Sequence, residues 1–162
     1  MTKDPDLGML SAQVLFALQR ELFRRLAEQG HPDLRPRHGA VLAYLDPQGS
    51  RATELAYASG QHKQVIGTLI DELEALGYVQ RRPDPQDRRA KLVVPTERGL
   101  DQLRRSEAIL AEIEGGHAAD VGAEAYAAFK AVLRRVAARQ RGFEIRTGES
   151  PPVRGAAVRR GR

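Results

Sequence analysis

The chain has 162 residues, 41% hydrophobic but only 5% aromatic, with no Trp, no Cys and a formal net charge of +5. This suits one domain, or one domain plus an appendage, built around a core of Leu, Ala and Val. The lack of Cys excludes disulfides, thiolate metal sites and a thiol peroxide sensor, and no apolar run approaches the ~20 residues of a membrane span.

The N-terminus, "MTKDPDLGML", carries acids where a signal peptide carries bases, so the chain is expected in the cytoplasm. The charge is unevenly placed. Segment 146–162 holds five Arg and one Glu, so it carries +4 and the remainder only +1. Basicity is a tail effect, and an affinity for nucleic acid has to be argued from local patches.

Leu10, Val14, Leu18, Leu22 and Leu26 recur every four residues and predict a long first helix ending near Gly30. "RPRHGAVLAYL" reads as a second, shorter helix stopped by "DPQG", and "ATELAYAS" as a third closed by Gly60. From Gln61 to Leu76 a fourth helix places Val65, Ile66, Leu69, Ile70, Leu73 and Leu76 inward, with Gly77 as its C-terminal cap. The period then switches from four to two. Tyr78-Val79 and Leu92-Val93-Val94 read as the strands of a hairpin. Thr96 is the expected N-cap of a fifth helix that fades at Gly115-Gly116. A sixth helix runs from about Ala123 to Arg141, and the tail "RTGESPPVRGAAVRRGR" is expected to be disordered.

The fold class is therefore mainly α with a small β hairpin, six helices in all. The first and last helices each carry an apolar stripe and lie far apart in sequence. Packing them within and between two copies would cover both stripes, which predicts a homodimer.

Two short helices, a tight turn and a helix with a polar outer face form a helix-turn-helix pattern. That face exposes Gln61, Gln64, Gly67, Thr68 and Asp71, with His62 and Lys63 beside it. Gln and Thr can hydrogen-bond base edges, and Lys63 can meet a phosphate. The acids Asp71, Glu72 and Glu74 lie toward the other end, so the N-terminal half would approach a polyanion. An ordinary solvated helix face is the alternative. The stretch "YVQRRPDPQDRRAKLVV" weighs against it, since Pro83 and Pro85 stiffen a loop that carries Arg81, Arg82, Arg88, Arg89 and Lys91. Asp84 and Asp87 favour turns there. Guanidinium groups suit a narrow, electronegative minor groove, so the helix is expected in a major groove with the hairpin tip in the minor groove beside it.

These residues carry a family likeness. "ATELAYASGQHKQVIGTLIDELEALGYVQRRPDPQDRRAKLVVPTERG" resembles the winged helix-turn-helix of the multiple-antibiotic-resistance regulator (MarR) family. Its D-P-x-D-x-R wing signature is met by Asp84, Pro85, Asp87 and Arg89; Asp84, Pro85 and Asp87 are read as structuring the wing, and Arg89 with the bases around it as contacting DNA. Its exit from the recognition helix is met by Leu73, Gly77, Tyr78 and Val79, and its T-x-x-G helix start by Thr96 and Gly99. The resemblance implies a winged helix-turn-helix lobe at about 34–96 within a domain spanning 1–145. Segments 7–30 and 97–142 would form the dimerisation region, followed by a basic tail at 146–162. It implies a homodimeric transcription regulator, usually a repressor, of pseudo-palindromic double-stranded DNA, and a small aromatic or anionic effector held between the two regions. Leu15, Gln19, His38 and Leu42 are the candidates to line that pocket. The chain departs from the family pattern at Gly67 and Thr68, where relatives often have Ser or Thr followed by Arg. Pro95 replaces an apolar strand residue, which suits the end of an edge strand. Gly39 replaces an aromatic residue and is read as letting two helices approach closely, a larger void being the alternative.

Catalysis is not expected. His31, His38, His62 and His117 lack metal-ligand spacing, "GGHAAD" reads as a loop, and no nucleophile elbow, P-loop or dinucleotide fingerprint occurs, so no cofactor is called for. The rival reading is a helix-turn-helix fold used as a protein-interaction module, its basic tail binding nucleic acid non-specifically.

Overall fold

The computed structural model describes residues 4–146, the last four by backbone alone. Helix α1, Leu7–Glu28, starts where the Asp6 carboxylate accepts from the Met9 N–H at 2.9 Å. A 3-10 turn at Pro36–His38 leads into α2, Gly39–Leu42, shorter than the sequence predicts. Strand β1, Ser50–Arg51, precedes α3, Ala52–Ser59, and α4, Lys63–Ala75. Strands β2, Val79–Asp84, and β3, Asp87–Pro95, form the hairpin. Two long helices follow, α5 at Glu97–Val121 and α6 at Ala123–Arg146. The sheet is antiparallel in the order β1-β3-β2, so β2 is an edge and tolerates Pro83. Pro95 closes β3 as expected, but β3 is the central strand and not an edge; β1 covers only its Leu92 and Val93, so Pro95 has a partner on the β2 side alone.

The core joins α1 through Phe23 and Leu26, α4 through Ile66, Leu69, Ile70 and Leu73, and α5 through Ile109 and Ile113. At roughly 1.5–3 kcal/mol for each large side chain buried, this cluster fixes the pose of α4 on the scaffold. Gly77 takes φ +79°, which lets the Tyr78 N–H reach the Leu73 carbonyl at 2.9 Å and turns the chain from α4 into the hairpin. Tyr78 is then fully buried beneath Arg98, whose guanidinium lies 4.3 Å from the ring centre. The tyrosine hydroxyl donates to His31 Nδ1 at 3.1 Å, and His31 Nε2 donates to Asp101 at 3.0 Å. Burial pushes the Tyr78 hydroxyl pKa up, while Arg105 and then His31 hold the Asp101 carboxyl below the usual range. Gly99 sits so close that an added Cβ would lie 2.1 Å from the Tyr78 carbonyl oxygen. The exit of α4 and the start of α5 are one rigid joint. The Thr96 cap is present, its hydroxyl accepting from the Gly99 N–H at 3.1 Å.

Four expectations need correction. Helix α5 does not fade at Gly115-Gly116 but runs to Val121, so "GGHAAD" is helical. Contacts with α6 hold it: Lys130 donates to Glu114 at 2.5 Å and His117 tilts against Tyr126. Helix α6 continues past Arg141 to Arg146, and the expected tail beyond that lies outside the described residues. Strand β1 is additional. Val65 is not turned inward but is 43% exposed. Helix α5 packs on both α1 and α6, yet Leu7, Leu10 and Val14 of α1 and Phe129, Val132, Leu133 and Val136 of α6 stay exposed. No helix among the described residues is long and apolar enough to cross a membrane.

Candidate nucleic-acid interface

Helix α4 presents one polar face. Gln61 and His62 lie exposed just before it, His62 at the cap position, and Lys63 and Gln64 are exposed in its first turn. Thr68 is exposed one turn on, but its hydroxyl already donates to the Gln64 carbonyl at 3.1 Å. It can therefore offer a ligand its methyl group and an acceptor oxygen. Gly67 has open space where a Cβ would stand, so nothing in the fold requires glycine. Gly67→Ala is expected to stabilise the protein by about 0.5–1 kcal/mol, a rise of roughly 1–4 °C in thermal midpoint. Calorimetric melting checks this, and a lowered midpoint would show that the position is strained.

The acids of α4 are not bare. Arg81 of β2 donates to Asp71 and to Glu74, each at 2.5 Å. His38 accepts the Arg35 N–H on Nδ1 at 3.0 Å, so its proton sits on Nε2 and is donated to Glu72 at 2.9 Å, where Arg37 joins at the same distance. The bonds from His38 and then Arg37 hold the Glu72 carboxyl below the usual carboxylate range. Two expectations change with this. Arg81 is not a free cation at the hairpin but a clasp on α4, and His38 is a buried strut rather than a pocket residue.

The hairpin tip has its own construction. Only Pro85 and Gln86 separate the strands. Pro83 pairs with Lys91 and Asp84 with Asp87, so Arg88, Arg89 and Ala90 stand opposite no residue of β2. This bulge turns the tip and presents its arginines. Arg82, Arg88, Arg89 and Lys91 are exposed, and no acid pairs with them among the described residues. The base of the turn is clamped by Asp84, 5% exposed, which accepts from the Gln86 N–H and the Arg51 Nε, both at 2.8 Å. The same two partners hold its carboxyl below the usual range. Asp87 accepts the Arg89 N–H at 3.1 Å and shapes the bulge locally. Arg51 has no signal in the sequence. Its partner lies 33 residues away and the two meet only because β1 pairs with β3.

A cleft of about 740 Å³ opens between α1, α2, α4 and α5. Leu15, Gln19 and Leu42 line it as expected and His38 does not. Gly39 lines it too. A Cβ there would meet Phe23 at an ordinary 3.8 Å, so close helix approach does not require glycine and its effect is to leave space. Gln61 and Val65 also face the cleft, which accounts for the exposure of Val65 and links the cleft to the start of α4.

Residues 33–90, which contain α3, α4 and most of the hairpin, match the family model described as MarR family. They form a MarR-family winged helix. Among solved structures, the transcriptional regulator PA3341 is 29% identical, with a TM-score of 0.69 over 85% of this chain and 99% of its own. CouR from Rhodococcus jostii RHA1, bound to p-coumaroyl-CoA, is 28% identical with a TM-score of 0.67, covering 82% of this chain and 92% of its own. A MepR–DNA complex from S. aureus shares the fold, with a TM-score of 0.68 at 20% identity over 85% of this chain and 99% of its own. No curated protein matches the chain. In this MarR-family lobe, α4 stands in the place of the recognition helix and the β2–β3 hairpin in the place of the wing.

Proposed function

We propose that the chain is a sequence-specific double-stranded DNA-binding transcription regulator, a homodimeric repressor of a pseudo-palindromic operator that is relieved when a small molecule occupies the cleft. One observation carries this reading. The exposed face of Gln64 and Thr68, with Gln61 just before it, belongs to a helix whose exit leads straight into a clamped wing with Arg88 and Arg89, paired to no acid among the described residues, at its tip. Major-groove readout from α4 and minor-groove contact from the wing follow. Lys63, Arg82 and Lys91 serve as phosphate contacts, and His62 flanks the helix start. The lobe is 34–96, and dimerisation falls to 7–30 and 97–142. Exposed Leu7, Leu10 and Val14 of α1 with Phe129, Val132 and Leu133 of α6 support that assignment, since such a face is covered in a working protein. The complexes of CouR with p-coumaroyl-CoA and of MepR with DNA support a fold that holds either ligand. No catalytic role and no cofactor is proposed.

The test is in vitro selection of duplexes from random DNA. Two inverted half-sites about 10 bp apart centre to centre, or a multiple of that, are expected. Gln64→Ala is expected to change the preferred bases within each half-site while leaving overall affinity near that of the parent. A pool without sequence enrichment would sink the reading. Ending the chain at Ile145 is expected to leave the selected site unchanged, whereas binding that vanishes with the tail would favour the interaction-module reading.

A further inference from the structure

We propose that the cleft takes an uncharged, largely apolar molecule bearing one hydrogen-bond donor, a hydroxyl or an amide N–H, and that Gln102 of α5 is the residue that reads the donor. This rests on the cleft being the effector site and adds the chemical class of the effector. The volume of about 740 Å³ fits a small organic ligand, and most of the wall is apolar, with Leu15, Phe16, Leu42 and Leu69 among its residues.

Two polar features break that wall. Gln102 is 2% exposed and lines the cleft together with Ser106, one helical turn on. Its Nε2 donates to the Ser106 hydroxyl at 2.6 Å, while its Oε1 is the only buried side-chain nitrogen or oxygen among the described residues with no hydrogen-bond partner. Buried carbonyls in folded proteins almost always find a donor, so an orphan on a residue that lines a cleft marks a place where a bound molecule, reached by a small rotation of the Gln102 side chain, completes the set. The second feature is charge. Arg37 is the one charged residue lining the cleft, and its Nε is already committed to Glu72 at 2.9 Å. A carboxylate set against Gln102 would leave water to meet a carbonyl oxygen, an unfavourable exchange, and the charge of Arg37 is already offset by Glu72. A neutral donor instead gains a bond that the empty protein lacks. Discrimination of this kind, by a partner present or absent, is sharper than discrimination by apolar bulk.

The experiment uses three probes of one shape on the full chain at neutral pH, read by titration calorimetry: 2-naphthol, which donates; 2-methoxynaphthalene, which only accepts; and 2-naphthoate, which is anionic. Naphthol is expected to bind at least about tenfold more tightly than either of the others. Gln102→Met, close in shape but without the amide, is expected to erase that margin while circular dichroism and sedimentation stay those of the parent. Equal binding of naphthol and methoxynaphthalene, a preference for naphthoate, or a margin that survives Gln102→Met would each overturn the inference while leaving the cleft as an effector site. Dissociation of the dimer in Gln102→Met would also overturn it, by assigning the carbonyl to an intersubunit bond. If none of the probes binds, the cleft itself is lost as the effector site, and the inference falls with it.

Discussion

Replacing Arg88 and Arg89 together by alanine is expected to weaken operator binding by about 10²-fold, taking roughly 1–3 kcal/mol for each specific arginine contact. Both guanidiniums project from a bulge and pair with no acid among the described residues, so their charge is available to DNA and is not spent within the protein. The salt dependence should flatten by about one unit of slope for each phosphate that is no longer neutralised. If either arginine enters a minor groove, the preference for A·T flanks should relax as well. The fold should be untouched, because neither side chain packs on the core. Fluorescence anisotropy across a salt series checks all three. An unchanged affinity and slope would remove the wing from the mechanism. Arg81→Ala should behave differently. It frees Asp71 and Glu74 on the recognition helix, so it adds repulsion to DNA and removes no attraction, and its effect should shrink as salt rises.

Val132→Asp combined with Val136→Asp is expected to yield a monomer and to reduce operator affinity by about 10²–10⁴-fold. That is the range gained when two linked modules bind at once. Both valines are exposed on α6 and take no part in the core, so the lobe should keep its thermal transition. Sedimentation and anisotropy together decide the matter. A variant that stays dimeric places the interface elsewhere, and a monomer with full affinity would mean that one half-site suffices.

How far the fold could be read in advance varies by element. The four-residue spacing of Leu10, Val14, Leu18, Leu22 and Leu26 is a local property, and α1 follows it. The same holds for α4 and for the Thr96 cap. The wing was legible because prolines and aspartates write turn chemistry into a short window. What escaped depends on partners far along the chain. Ser50-Arg51 is a strand only because Val93 and Leu92 lie opposite. Helix α5 passes through Gly115-Gly116 because α6 braces it, which overrides a weak local preference. Val65 fits an apolar stripe, and no periodicity could reveal that a cleft would open over it. At the candidate interface the exposed cations were identified from sequence, but not which of them were taken. The clasp of Arg81 on α4 and the clamp of Arg51 on Asp84 are tertiary facts.

The three acids of α4 are gripped from two other parts of the protein, Asp71 and Glu74 by Arg81 of the edge strand and Glu72 by Arg37 and His38 of the segment before α2. This limits how the regulator could be retargeted in the laboratory. A chimera that imports a whole foreign helix would strand Arg37, His38 and Arg81 opposite mismatched side chains and set the new helix at a different tilt. A graft confined to positions 61, 64 and 68, with Asp71, Glu72 and Glu74 retained, would keep the mounting while exchanging the letters it reads.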